Sequence, residues 1–363
     1  MKKLTITKSN LILCLILFFE TCIIKIIQYT ILPDKYFYDS RKILAIMNGS
    51  ALTDKGYSFT ANFFKKINIF GFYDIKQWSI AISIVFLIFF IVFFSKRRFN
   101  FIEFVYIIIA YALLNIYVFN LSKDIIQLFF FIIVYFICSN QKYSNKKKII
   151  IVSGIFIIES LFFRTYYFII GILTIGLYYI YCIFFENEKI QNKKRTGFIV
   201  IISFILFMFM IFILQKISSE NYMLIINARS SSNIYRDSTD AVTMINDIFK
   251  NTNYFFFVIN YIINTVRIMF PIELIVKGIK YLPFIILQIF FSGVLLKNLI
   301  HVKKEKSIYI FAVMAFTMVS IIYEPDFGSV IRHESVLIMF VLELLNNRED
   351  EKNGKSISYN TNI

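Results

Sequence analysis

Long apolar runs, broken by short polar interruptions, set the pattern of this chain. "IAISIVFLIFFIVFF" (80–94) carries no charge, and comparable runs recur from residue 11 to residue 345. A helix needs about 20 mostly apolar residues to cross the hydrocarbon core of a bilayer. It must also satisfy its own backbone hydrogen bonds there. The pattern predicts ten spans, at 11–32, 78–94, 104–120, 124–138, 149–163, 166–185, 198–214, 281–299, 307–323 and 331–345. Alternating strands of about ten residues, the mark of an outer-membrane barrel, are absent. The predicted fold class is therefore all-α: a polytopic transmembrane helical bundle forming a single integral membrane domain over 1–345, with a polar cytoplasmic tail at 346–363.

One apolar segment, 254–272, has a different pattern. In "YFFFVINYIINTVRIMFP", Asn260, Asn264 and Arg267 recur at i, i+4 and i+7, a polar stripe on one helix face, and Pro271 ends or kinks that helix. An amphipathic interfacial helix at the outer surface, or one that dips in and returns, is expected in place of a span; if it did cross, the count would rise to eleven or twelve. The N-terminal "MKKLTITKSN" followed by "LILCLILFFE" imitates a secretory signal. The apolar stretch, however, continues to Leu32, contains Glu20 and Lys25 and offers no small-x-small cleavage site, so a retained first helix is expected.

Charge then orients the spans. The chain has 363 residues with formal net charge +16. Much of the basic excess lies in "MKK", "SKRR" (95–98), "QKYSNKKK" (141–148), "EKIQNKKR" (188–195) and "HVKKEK" (301–306). Basic short loops are cytoplasmic, and alternation puts all of these on one side if 254–272 does not cross. The charge thus reads as topology, with no nucleic-acid partner. Outside lie two substantial loops, 33–77 and 215–280, the turn "FFRTYYF" and the stretch "YEPDFGSVIRH". The cytoplasmic loops are too short for a soluble catalytic domain, so chemistry is expected outside or within the membrane. Cys14, Cys22, Cys138 and Cys182 fall inside apolar spans with no metal-ligand spacing, and no disulfide is expected. No P-loop, HExxH, GxSxG or CxxC is present, which leaves an ATP-driven pump or a zinc protease without support. A metal pair at Asp237 and Asp240 is only weakly suggested.

Candidate chemistry follows from the outward cations. Arg41, Arg164, Arg229, Arg236, Arg267 and Arg332 all fall outside or at the outer interface, where positive residues are normally sparse. Arginine presents a rigid fork of donors that matches phosphate oxygens. Each one taken singly could equally snorkel to headgroups or pair with loop acids; as a set they suggest an anionic ligand such as a lipid-linked pyrophosphate. "YEPDFGSVIRHES" (323–335) adds three acids, an arginine and one of the two histidines of the chain. Pro325 and Gly328 make a turn, and Arg332 and His333 open the next helix. His333 or Asp326 could take a proton from a hydroxyl while Arg332 holds a departing diphosphate; the sequence does not separate the two bases, and a hydrated helix hairpin is the plain alternative. Glu324, farther from the turn, is expected to matter less. Asp39 with Arg41, and Ser122 to Asp124, look like further mouth residues. Glu159 is expected to pair with Arg164, Glu20 to face the bundle interior because a mid-bilayer charge costs about 2.5–3.5 kcal/mol, and Lys25 to snorkel outward.

"EPDFGSVIRHES" before the last helix, with "NLSKDIIQLF", "FRTYY" and "NTVRIMFPIELIVKGI", resembles bacterial oligosaccharide repeat unit polymerases of O-antigen and capsular polysaccharide, and the related extracellular-polysaccharide polymerases. The likeness covers most of the chain in layout and short motifs in identity. It implies a C-type membrane glycosyltransferase of the plasma membrane that acts at the outer face on undecaprenyl-diphosphate-linked repeat units. The growing chain would pass from its lipid carrier to a new unit without cofactor or metal. By motif neighbourhood the family's outer arginines would fall on Arg164, Arg267 and Arg332, with His333 as base or phosphate contact. The large outer loop departs from the family's paired arginine motifs, offering only Arg229 and Arg236. Membrane lipids, a flippase and a chain-length regulator are the implied partners. A flippase for lipid-linked sugars is the alternative reading; it should carry its cations deep in a central cavity. A purely structural membrane protein would tolerate loss of the mouth residues.

Overall fold

The computed structural model describes residues 8–51, 54–185, 193–227, 229, 243–251, 253–300 and 302–346. The described residues are almost entirely helical, with one isolated bridge between Met244 and Asp326. Five segments are long and apolar enough to cross a membrane: Lys8–Ile31, Ile75–Ser95, Phe101–Val118, Val200–Ile217 and Ile279–Ile300. We label the helices α1 (Lys8–Ile31), α2 (Tyr38–Met47), α3 (Lys55–Ile67), α4 (Ile75–Ser95), α5 (Phe101–Leu113), α6 (Lys123–Ser139), α7 (Asn145–Phe162), α8 (Tyr167–Phe185), α9 (Lys193–Ile217), α10 (Ser219–Ile226), α11 (Tyr254–Met269), α12 (Leu282–Ile300), α13 (Ser307–Tyr323), α14 (Phe327–Ser335) and α15 (Ile338–Leu345).

Local chemistry sets several boundaries. Asn100 and Glu103 form a reciprocal capping box that starts α5. Asp54, Ser144, Asn253 and Asp326 each cap a helix by accepting a backbone N–H. The end of α5 widens into a π-turn over Leu114–Val118, closed by Phe119 N donating to Leu114 O at 2.7 Å.

Helix α13 is the axis of the bundle. Every residue from Ser307 to Ile322 is buried, and a helix apolar all round belongs in an interior. It packs against α8, α11, α12 and α15. Outward on α1, by contrast, Leu11, Phe18, Ile26 and Ile31 are exposed, a surface suited to lipid.

The two ends of the bundle differ in chemistry. At one end Asn10 Nδ2 donates to the carbonyls of Phe94, Ser95 and Arg97, Asn145 Nδ2 to that of Lys304, and Lys306 Nζ to that of Asn346 at 2.5 Å. The start of α1, the end of α15 and the basic loops 95–98, 141–148 and 302–306 thus share one end. The candidate residues lie at the other.

Four expectations are corrected. Helix α11 turns its polar stripe inward: Asn260 and Asn264 are buried, while Phe255, Ile262 and Val266 are exposed. The stripe has a partner in segment 243–251, where Asn260 bonds both Phe249 N and O, Asn264 Nδ2 donates to Asp247 at 2.7 Å and Arg267 donates to Asn246 O at 2.7 Å. The last predicted span, 331–345, starts earlier and is broken: Ser335 Oγ donates to Arg332 O at 2.6 Å, taking the carbonyl that the next helical turn would use, and α15 restarts at Ile338. Lys25 points inward, its ammonium donating to Asn115 O at 2.6 Å and Phe119 O at 2.9 Å, carbonyls beside the π-turn. Glu159 is fully buried with no hydrogen-bond partner on either oxygen, because Arg164 turns to other groups. Glu20, as expected, has its carboxylate oxygens covered.

Candidate active site

Three helix junctions meet at the end opposite the basic loops. The π-turn delivers the chain into α6, so that Asp124 stands in its first turn. The tight α7–α8 connection presents Arg164. The α13–α14 turn presents Glu324, and α14 carries Arg332 and His333.

Asp124 is the hub. It is 1% exposed and its Oδ1 accepts from Arg164 Nη2 at 2.8 Å. Arg332 Nε faces Oδ2 at 3.1 Å, an ion pair without hydrogen-bond alignment. His333 Nε2 lies 3.2 Å from Oδ1. Arg164 Nη1 also donates to Gln127 Oε1 at 2.7 Å and to the Tyr166 hydroxyl at 2.9 Å. Farther out, Arg332 Nη1 lies 3.8 Å from Asp39 Oδ2, and Asp39 accepts from the Tyr57 hydroxyl at 2.5 Å.

His333 sits between two carboxylates and two guanidinium groups. Its Nδ1 is 2.5 Å from Glu324 Oε1. Its Nε2 is 3.3 Å from Nη2 of both Arg164 and Arg332. Guanidinium groups only donate, so a neutral ring with its proton on Nδ1 offers the Nε2 lone pair toward them. A proton gained at Nε2 would face Asp124 Oδ1, while Glu324 stays on Nδ1. Burial alone raises the Glu324 carboxyl, but His333, Ser329 and Arg164 outweigh it and hold the group down at about 2. Glu324 is therefore a carboxylate that orients the ring, the arrangement of an acid–base pair.

The candidates drawn from sequence divide. Arg164, Arg332 and His333 come together. Asp326 caps α14, its Oδ1 accepting from Ser329 N at 2.8 Å. Arg229 is buried beneath the mouth, donating to the carbonyls of Glu324 (3.1 Å) and Ile321 and to Asp247 at 3.0 Å. Arg267 forks onto Glu273, with Nε and Nη2 each 2.8 Å from a carboxylate oxygen. Arg41 pairs with Asp34 at an exposed position. Arg236, Asp237 and Asp240 lie outside the described residues. Glu324, expected to matter less than the turn residues, is the direct partner of the imidazole.

Sequence reasoning noticed Asp124 and Asp39 without ranking them. The usable signal for Asp124 was a carboxylate opening an apolar run, which must find cations once buried. Gln127, one turn further along α6, and Tyr166 were not singled out. Among the described residues no group of three or more His, Cys, Asp or Glu side chains is arranged to hold a metal ion. A cavity of about 130 Å³ lies at the basic end, lined by Arg97, Arg98, Glu103 and Glu343. Its Arg97 is paired with Glu343 at 3.0 Å and its Glu103 belongs to the capping box.

Comparisons with family models, with curated proteins and with solved structures find no match to this chain.

Proposed function

We propose that this chain is a multi-pass glycosyltransferase of the plasma membrane that polymerises lipid-diphosphate-linked oligosaccharide repeat units at the outer face. The carrying observation is His333, with Glu324 on Nδ1 and the guanidinium groups of Arg164 and Arg332 both 3.3 Å from Nε2. That grouping puts a base and an anion site within one hydrogen-bond length of each other. The gathering of basic loops at the far end of the bundle supports an outer location for the site.

In the proposed reaction the hydroxyl oxygen of the acceptor sugar attacks the anomeric carbon of the donor. The bond from that carbon to the diphosphate oxygen breaks, and the electron pair leaves with the lipid diphosphate. The hydroxyl proton passes to His333 Nε2, where Asp124 and Glu324 hold the resulting imidazolium. Arg164 and Arg332 exchange contacts with Asp124 for phosphate oxygens as charge develops on the leaving group. A diphosphate leaves without protonation, so one base suffices.

The test is polymer formation from purified lipid-linked repeat units by reconstituted protein. A ladder of products with the parent chain, lost in His333→Ala at equal folded protein, supports the reading. A companion measurement separates it from the flippase alternative. A strain lacking the chain should accumulate single lipid-linked units on the outer face, whereas accumulation on the inner face would assign it to transport.

A further inference from the structure

Two ammonium groups share one aromatic ring beside the arginine pair. Lys123 Nζ lies 3.8 Å and Lys42 Nζ 4.1 Å from the centre of the Tyr57 ring. The two charges are therefore no more than about 8 Å apart. The ring face attracts each cation, but a quadrupole does not cancel two full charges that repel one another. Among the described residues, neither ammonium makes a hydrogen bond or a close ion pair; Asp39, Asp54 and Asp124 act on Lys123 only at longer range, each bonded elsewhere. Asp54 Oδ1 accepts from Tyr57 N at 3.1 Å, Asp39 takes the Tyr57 hydroxyl and faces Arg332, and Asp124 holds Arg164, Arg332 and His333.

The backbone adds to this positive field. Gly56 stands in the first turn of α3, and a Cβ there would lie 3.1 Å from Phe163 O and 3.7 Å from Lys123 Cδ. The absent side chain thus brings the N-terminus of α3 against the stem of Lys123. Free N–H groups and the helix dipole at such an end favour anions; the Asp54 carboxylate, its Oδ1 3.3 Å from the same Cβ position, accepts from one of those donors.

We propose that Lys42 and Lys123, gathered on Tyr57 at the start of α3, form a phosphate-binding subsite separate from the Arg164–Arg332 pair. It deepens the polymerase reading, resting on it for the expectation that the phosphate belongs to a lipid-linked sugar. An ammonium suits this role because it is a point charge that follows a mobile phosphate, whereas the arginine forks fix one orientation.

The experiment is isothermal titration of the purified full-length protein, in zwitterionic detergent, with inorganic pyrophosphate and with farnesyl diphosphate. The parent chain should bind two equivalents. K42Q/K123Q should weaken one of them by about tenfold or more, the loss expected for charge-assisted hydrogen bonds, while K42R/K123R retains it. Should the double variant fail to fold, K42Q alone, at the half-exposed lysine, must weaken the same event. Tighter binding of farnesyl diphosphate than of pyrophosphate marks the ligand as a lipid headgroup; equal binding marks it as a soluble phosphate. Unchanged affinity and stoichiometry in K42Q/K123Q overturns the subsite. If R164Q/R332Q leaves both events intact while K42Q/K123Q removes one, the subsite stands and the polymerase site fails.

Discussion

The Nδ1 of His333 lies 2.5 Å from Oε1 of Glu324, across the turn that joins α13 to α14. Nine residues separate them, yet the turn folds the carboxylate directly onto the ring. This contact fixes the face of the imidazole turned to the arginines and stabilises the charged ring that proton transfer would create. Glu324→Gln should therefore lower kcat by about a hundredfold with KM nearly unchanged, and His333→Ala by about 10² to 10⁴. Rates of polymer formation by the two variants at equal folded protein check this, and a parent-like rate in His333→Ala removes the imidazole from the chemistry.

The same carboxylate sets a lower pH limit. Its folded value of about 2 lies below the ordinary 4.5. A depressed carboxyl contributes stability that is fully present above its unfolded value and is lost as pH falls through the folded one. The detergent-solubilised protein should lose thermal stability progressively from about pH 4.5 toward pH 2, and Glu324→Gln should flatten that fall. A variant whose midpoint temperature follows the parent curve across this window would place the acid sensitivity elsewhere.

Asp124 carries the largest structural role in the site. Removing one partner from a buried charged cluster costs about 3–5 kcal/mol, because the remaining charges are left uncompensated. Asp124→Asn keeps the shape and loses the charge that balances Arg164, Arg332 and, once protonated, His333. A marked fall in midpoint temperature is expected, larger than for Asp326→Asn, whose amide oxygen still caps the helix. Thermal melts of the two variants in one detergent decide the order.

The arginines should separate by role. Arg164→Lys and Arg332→Lys should abolish polymer while leaving the fold intact, because an ammonium does not reproduce a two-pronged contact. Arg267 instead clamps Glu273 and Asn246 O, so Arg267→Ala should lower stability by about 1–3 kcal/mol through the groups it leaves unpaired. Its KM for lipid-linked substrate should stay near the parent value. A KM raised tenfold in Arg267→Ala at parent stability would return this residue to the binding site.

The helical class was legible in the sequence because apolar run length decides it, whereas α2 and α3, helices inside the expected loop 33–77, left no such mark. Directions and pairings were not legible. Lys25 has a free path outward by length alone, but the π-turn at Leu114–Val118 supplies carbonyls that bind its ammonium more closely, and a π-turn leaves no clear mark in hydropathy. The stripe of Asn260, Asn264 and Arg267 was visible as a stripe, yet periodicity cannot say whether water or protein lies opposite it; here protein segment 243–251 does. Glu159 and Arg164 are near in sequence and suggested a pair, whereas the contact made is with Asp124 on α6, brought close only by helix packing. Arg332 and His333 were legible as a cluster because they adjoin, but the carboxylates that define their chemistry come from separate helices.

Topology offers the last test, and it bears on every functional claim. The start of α1, the end of α15 and the basic loops share one end of the bundle, and the Asp124 hub lies at the other. Short basic loops are retained on the cytoplasmic side, so Lys304→Cys should resist an impermeant thiol reagent applied to intact cells and react after permeabilisation. Tyr38, 62% exposed at the start of α2, lies on the site's side, and Tyr38→Cys should react in intact cells. The native cysteines all fall within helices, which keeps the background low once they are replaced by serine or alanine. The pair of outcomes matters more than either alone, because an odd number of crossings between the two positions labels one and protects the other. If Lys304→Cys labels in intact cells and Tyr38→Cys does not, the site faces the cytoplasm, and the proposed polymerisation at the outer face is excluded.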